Sequence, residues 1–151
     1  LIRVLRNGQC FAILLDQNTK PSEGGVFVPI FGVPAPVSMS AAILALRTDS
    51  EIVFGFALLE SDGSYQVISP RRIRREEIER IKTEAGAHAA DQLTLLITQI
   101  LEDAVRTHPG SWLWTYKRWK HIAPGHDRNA YPHYAKRMQG DELAKARVVG
   151  E

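Results

Sequence analysis

Residues 108–120 read HPGSWLWTYKRWK, which places Trp112, Trp114 and Trp119, the three tryptophans of the chain, beside Lys117, Arg118 and Lys120. Indole rings next to fixed cations suit two environments. Single-stranded nucleic acid stacks its bases on rings, whereas a membrane interface holds indoles at headgroup depth while cations meet lipid phosphate. Charge distribution separates the two. Residues 112–137 carry six basic residues against one acid, Asp127, a net of +5, while the rest of the chain carries a net of −3. A basic character this local argues against a nucleic-acid partner and favours an acidic lipid surface. Trp112, Trp114, Trp119 and Lys117 are therefore candidate membrane-interface residues. Lys117, Arg118 and Lys120 would stand beside a phosphate-bearing ligand if one is present, with arginine the better fork for an oxyanion. Alternation of Trp112, Trp114 and Tyr116 against Leu113 predicts an edge strand, with the cations near its end.

Other reactive residue types are sparse. His121, His126 and His133 lie at intervals of five and seven in a stretch without Cys and with only Asp127 nearby, which reads as surface histidine rather than a zinc site. No G-x-S-x-G turn, G-x-x-x-x-G-K-[ST] loop or G-x-G-x-x-G fingerprint occurs, so hydrolase, P-loop and dinucleotide readings lose their main support. The single Cys10 excludes an intrachain disulfide and reads as a small buried hydrophobe in a reducing compartment. No cofactor and no metal are expected.

The elements that must position these residues follow from hydrophobic pattern. LIRVLRNG at the start reads as the last turns of an amphipathic helix closed by Gly8, so the chain is expected to begin inside a domain whose N-terminal part is missing. The apolar run CFAILLD, residues 10–16, predicts a strand buried on both faces and ending at Asp16, Gln17 and Asn18. In GVFVPIFGVPAP, Pro29, Pro34 and Pro36 remove backbone donors, which predicts an extended packed loop. Ser38 should cap a helix carrying Met39, Ala42, Ile43 and Leu46, and EIVFGFALLE from Glu51 reads as a second buried strand. The turn signal Ser61-Asp62-Gly63-Ser64 should return Tyr65–Ser69 as a hairpin partner. Residues 71–90 mix six basic side chains with four acids, the pattern of a solvated helix laced with ion pairs. Leu93, Leu96, Ile97, Ile100, Leu101, Ala104 and Val105 mark an amphipathic helix stopped at His108-Pro109-Gly110. Residues 122–151 read as a polar, loosely packed tail behind a domain portion spanning 1–121. The fold class is α/β, a mixed sheet flanked by helices. In such folds ligands gather beyond the strand ends, here Asp16–Asn18 and the loops around Gly32.

Taken in order, ILLDQN at 13–18, GVFVPIFGVPAP at 25–36, ALRT at 45–48, IVFGF, DGSYQVISP and HPGSWLWTYKRWK resemble the bacterial lipid A biosynthesis acyltransferases, the lauroyl and myristoyl transferases similar to the wider lysophospholipid acyltransferase group. The resemblance covers about residues 2–120. It implies a membrane-associated O-acyltransferase that moves a fatty acyl chain from an acyl carrier protein or coenzyme A thioester onto a hydroxyl of a lipid A precursor, at the cytoplasmic face of the inner membrane. It also implies a His-x4-Asp/Glu dyad in which His is the general base. Here the residues five positions after His88, His108, His121, His126 and His133 are Leu93, Leu113, His126, Tyr131 and Met138, so no catalytic residue is assigned and the dyad is expected upstream of Leu1. By the same resemblance Asp16 and Gln17 are substrate-positioning residues near the active site, and Arg118 and Lys120, which match the family's terminal basic motif, are expected to contact a lipid phosphate, a sugar carboxylate or the membrane surface. Tyr116 stands where the family commonly has His. Another glycolipid, such as a phosphatidylinositol mannoside, is the alternative acceptor, and a non-catalytic lipid-binding remnant the alternative role.

Overall fold

A computed structural model describes residues 1–150. Its elements are α1 (Ile2–Arg6), β1 (Gly25–Ile30), β2 (Val33–Ser38), α2 (Ser40–Thr48), β3 (Ile52–Val53), β4 (Phe56–Leu59), β5 (Tyr65–Ile68), β6 (Arg72–Ile73), α3 (Arg75–Ala85), α4 (Ala89–Thr107), β7 (His121–Ile122), β8 (Lys136–Arg137) and α5 (Gly140–Lys145). Helices and strands are mixed as expected of the α/β class, with the strands arranged as two-stranded ladders: β1–β2, β3–β6, β4–β5 and β7–β8.

The proline-rich segment is the most deeply buried of these ladders, where an extended loop was expected. β1 and β2 pair antiparallel with Ile30 opposite Val33, Pro29 opposite Pro34 and Phe27 opposite Pro36. Phe27 turns its N–H and C=O away from β2, toward the Arg147 carbonyl at 2.9 Å and the Val149 amide at 2.8 Å. Along an antiparallel pair, every second position points its backbone outward in this way. Pro29, Pro34 and Pro36 all share that parity, so the three missing donors fall where the ladder does not use them. The two-residue turn Phe31-Gly32 has positive φ at both positions, 52° and 78°, the twist that a tight hairpin requires.

Behind this hairpin lies α4, whose Leu93, Ile97 and Ile100 pack on Ala42 and Ala45 of α2, on Ile73 and on Ile78 of α3. Alanines on α2 let the backbones approach closely, and the two buried hydroxyls of α4 are satisfied within the helix: Thr94 donates to Ala90 O at 2.6 Å and Thr98 to Thr94 O at 2.8 Å. The helix starts and stops near the expected positions, with His108 ending it. α3 buries Ile78 alone and is ringed by charge pairs, Arg71–Glu77 and Lys82 with Asp49 and Glu79 among them. The β4–β5 hairpin forms as expected around the Ser61–Ser64 turn.

Further expectations are corrected. Residues 10–16 form no strand: Phe11 and Leu15 are half-buried, Ile13 and Leu14 are exposed, and Cys10 is exposed rather than a buried hydrophobe. A continuous apolar run is compatible with a strand, yet no neighbouring strand pairs with this one, and its side chains line a cavity instead. The run from Glu51 breaks at Gly55 into β3 and β4, and β4 alternates half-buried with exposed residues, so it has one covered face, not two. Residues 122–150, the described part of the expected loose tail, are packed on the rest of the protein. Ile122, Ala123, Tyr131, Ala135 and Met138 enclose Phe27, and Val149 joins the cluster of Val26, Val28 and Ile30. Polar composition concealed this because the few apolar residues that bury are spaced without a helical or strand period. The start behaves as read: α1 ends at Asn7 with Gly8 at φ 73°.

At the base of β1, Gly25 donates to Lys20 O at 2.9 Å, and a Cβ there would lie 1.9 Å from the Thr19 carbonyl oxygen. Backbone cannot yield as a flexible side chain does, so Gly25→Ala should cost about 3 kcal/mol. Tyr131 Oη donates to Pro34 O at 3.0 Å and accepts from Ala123 N at 3.1 Å in a buried setting. Tyr131→Phe should therefore cost about 1–3 kcal/mol. Urea unfolding of both variants checks these figures; a Tyr131→Phe protein as stable as the parent would mean that the Tyr131 hydroxyl does not help to hold the C-terminal segment on the hairpin.

Candidate active-site cavity

The run 10–17 lies across α2, α4 and the β3–β4 segment and with them encloses a cavity of about 1010 Å³. Its walls are mostly hydrocarbon and aromatic: Phe11 and Leu15 from the run, Leu44 from α2, Phe54 beside β3, and Ile97 and Leu101 from α4. Exposed Leu14, Val53, Val67 and Leu113 also belong to it, so apolar surface continues from the interior to the outside. A volume of this size matches the upper end of ordinary small-molecule sites.

Arg118 is the polar group that stands out. It is 1% exposed, the largest fully buried side chain of the protein, and it lines the cavity. Its Nη1 donates to the backbone carbonyl of Asp16 at 3.0 Å and to Asn18 Oδ1 at 3.4 Å. Its Nε and Nη2 are buried without a protein partner, as is Nε1 of Trp112, another lining residue. Among the described residues no carboxylate lies within salt-bridge distance of Arg118. Burial lowers its pKa to about 10, opposed by the nearby Tyr116 and Asp16, so the guanidinium remains charged at neutral pH.

The loop that meets Arg118 is held by its own polar residues. Asn18 N–H donates to Tyr116 Oη at 2.9 Å, and Asn18 Nδ2 donates to Lys117 O at 3.1 Å. Residues 16–18 and 116–118 are thus stitched together across about a hundred positions of sequence. Asp16 and Gln17 line the cavity with exposed side chains. Asp16 reaches Arg118 through its carbonyl, and its carboxylate forms no ion pair among the described residues. Asn18 lies in the Asp16–Asn18 stretch that the sequence marks for ligands, but its role as the residue that ties this loop to Arg118, Tyr116 and Lys117 rests on long-range contacts.

The tryptophan segment winds through turns rather than forming the expected edge strand. Trp114 N bonds Trp112 O, Tyr116 N bonds Leu113 O and Arg118 N bonds Tyr116 O, at 3.0, 3.0 and 2.8 Å. These short-range bonds destroy the two-residue alternation and send the three indoles to three settings. Trp112 faces the cavity; Trp119 is half-buried and donates to Val33 O at 3.0 Å; Trp114 is 56% exposed beside Leu113 at 68%. Trp114 and Trp119 flank Phe31, with ring centroids 6.2 and 6.3 Å away. Phe31 is a non-glycine residue at φ 52°, a conformation costing of order 1–3 kcal/mol. Its N–H donates to Glu102 Oε2 at 2.7 Å and the Arg106 guanidinium sits 4.9 Å over its ring, interactions that hold it there. Lys117 lies 5.9 Å from the Tyr134 ring centroid. Lys120 is exposed and does not line the cavity. Among the described residues no three His, Cys, Asp or Glu gather as a metal site, and no helix is long and apolar enough to cross a membrane.

Tyr116→Phe removes the acceptor of the Asn18 amide. The Asn18 N–H should then exchange with solvent as fast as a free loop amide, at a global cost of about 1 kcal/mol. Amide exchange followed by NMR measures the first and urea unfolding the second.

A comparison with curated proteins finds no match. The sequence profile described as bacterial lipid A biosynthesis acyltransferase matches residues 1–121, which include the cavity-lining run, the β1–β2 hairpin, all of α4 and the Arg118 site. With four fifths of its length matched, the chain belongs to the bacterial lipid A biosynthesis acyltransferase family.

Proposed function

We propose that this chain forms the acyl-accommodating and anion-binding part of an O-acyltransferase, which transfers a fatty acyl group from an acyl carrier protein or coenzyme A thioester to a hydroxyl of a lipid A precursor. The observation that carries this reading is the apolar cavity of about 1010 Å³ with one buried, incompletely partnered guanidinium in its wall. Hydrocarbon gains free energy in such a cavity in proportion to the apolar area it loses from water. A guanidinium held in low dielectric attracts an oxyanion more strongly than it would in water. Asp16, Gln17 and Arg118 orient substrate in this scheme, with Asn18 and Tyr116 positioning the loop that carries Asp16. The proton of the acceptor hydroxyl goes to the histidine of the family dyad, for which no His of residues 1–151 has the required acid five positions on.

We place the protein at the cytoplasmic face of the inner membrane. Exposed Trp114, Leu113, Lys117 and Lys120 are available to a lipid surface, whereas Trp112, Trp119 and Arg118 serve the interior. Each lysine near an anionic leaflet contributes about 1 kcal/mol.

Residues 1–151 alone should give no turnover of radiolabelled acyl carrier protein and lipid A precursor above a heat-killed control, while the full-length protein should transfer the label. In the full-length protein Arg118→Met should lower kcat/KM at least about tenfold. Lys117→Glu with Lys120→Glu should reduce partitioning onto anionic vesicles about tenfold or more, with little effect on neutral ones. A full-length protein that acylates no lipid A precursor would defeat the reading, and unchanged vesicle binding would defeat the surface assignment.

A further inference from the structure

The cavity holds an unbalanced set of polar groups. Nε and Nη2 of Arg118 and Nε1 of Trp112 are three buried donors with no protein acceptor, all on residues that line it. The neighbouring indoles are satisfied, Trp114 Nε1 by Pro109 O at 2.8 Å and Trp119 Nε1 by Val33 O at 3.0 Å, so the deficit falls on two residues of the cavity wall, just beneath its surface. On the guanidinium it has a definite shape. Nη1 is anchored to Asp16 O and Asn18 Oδ1, which fixes the plane and leaves Nε and Nη2, the adjacent pair of N–H groups that accepts a two-oxygen head bidentately. A ligand that completes such a site offers acceptors and no donors, and an ionised oxyanion does so.

Charge decides between oxyanions. The site presents one buried positive charge, and no second cation lines the cavity. Asp16 and Glu51 also line the cavity, so a phosphate dianion would add more negative charge beside these carboxylates than a monoanionic carboxylate, which matches the single guanidinium one for one. The walls beyond Arg118 are mostly apolar, with Leu15, Leu44, Phe54, Ile97 and Leu101 offering hydrocarbon to an alkyl chain.

We propose that this cavity binds a free long-chain carboxylate, its head on the Nε and Nη2 edge of Arg118 and its tail along α2 and α4, so that a fatty acid occupies the acyl site and competes with the thioester donor. This rests on the acyl-transfer reading for the identity of the competitor, but binding itself is a property of residues 1–151.

The test is isothermal titration of the 1–151 chain with dodecanoate, dodecan-1-ol and dodecyl phosphate below their critical micelle concentrations. Dodecanoate should bind one to one, at least about tenfold more tightly than dodecan-1-ol, which has the tail without the charged head. Dodecyl phosphate should bind no better than dodecanoate. Arg118→Met should abolish the preference for acid over alcohol while keeping alcohol binding, and Arg118→Lys, with charge but no planar fork, should restore only part of it. Equal affinity for acid and alcohol in the unaltered chain overturns the proposal without reliance on any variant's folding. A preference that survives in folded Arg118→Met overturns the assignment to that side chain, and tenfold tighter binding of dodecyl phosphate overturns the choice of carboxylate. A chain that binds dodecanoate while its full-length parent transfers no acyl group refutes only the acyl-transfer reading. Transfer without dodecanoate binding refutes only the proposal made here.

Discussion

A guanidinium buried with only one of its edges satisfied is the constraint around which this site is arranged. Arg118 costs several kcal/mol to desolvate, and among the described residues no carboxylate lies within ion-pair distance of it. What it has is a backbone carbonyl and an amide oxygen, from Asp16 and Asn18, and these come from the far end of the matched region. The arginine therefore draws the 10–18 run into place, and in doing so it creates the cavity wall. The tether acts together with the bonds of Asn18 to Tyr116 and Lys117 and with the packing of Leu15 on the α2–α4 core.

The second organising feature is the outward-facing edge of β1. Because Phe27 directs its backbone away from β2, the residues near the C-terminus can pair with it, as Arg147 and Val149 do. Phe27 itself is then covered by Ile122, Tyr131, Ala135 and Met138. The same parity that tolerates prolines on the hairpin thus makes room for a third, short partner. In this way residues outside the family match complete the core of the residues within it.

These two arrangements give the chain a stable half and an adaptable one. The hairpin, α4 and the C-terminal segment are densely packed, with their buried hydroxyls bonded. The cavity side instead carries exposed Leu14, Val53, Val67 and Leu113 and leaves three donors without acceptors. An acyltransferase has use for this asymmetry. In the proposed acyl-transfer reading, the cavity side presents apolar area and unpaired polarity that a folded core would not tolerate, and a rigid scaffold offsets the cost.

Local chemistry was legible wherever periodicity or turn residues spoke for themselves. The long amphipathic helix, the Ser61–Ser64 hairpin, the Gly8 terminus and the gathering of Trp, Lys and Arg at 112–120 could all be read from residue order, because each depends on contacts a few positions apart. The family pattern was also legible, since its motifs keep their order along the chain. Long-range geometry was not. Prolines look like strand breakers until register places them where the ladder needs no donor. An unbroken apolar run looks like a buried strand until no partner strand is found beside it. Arg118 and Lys120 look alike in KRWK, yet one ends up fully buried against Asp16 and Asn18 and the other in water. Residue order by itself determined which groups were available and which short elements would form; which face of each was buried, and which cation met the cavity, was decided by contacts a hundred residues apart, whose energies no local pattern encodes.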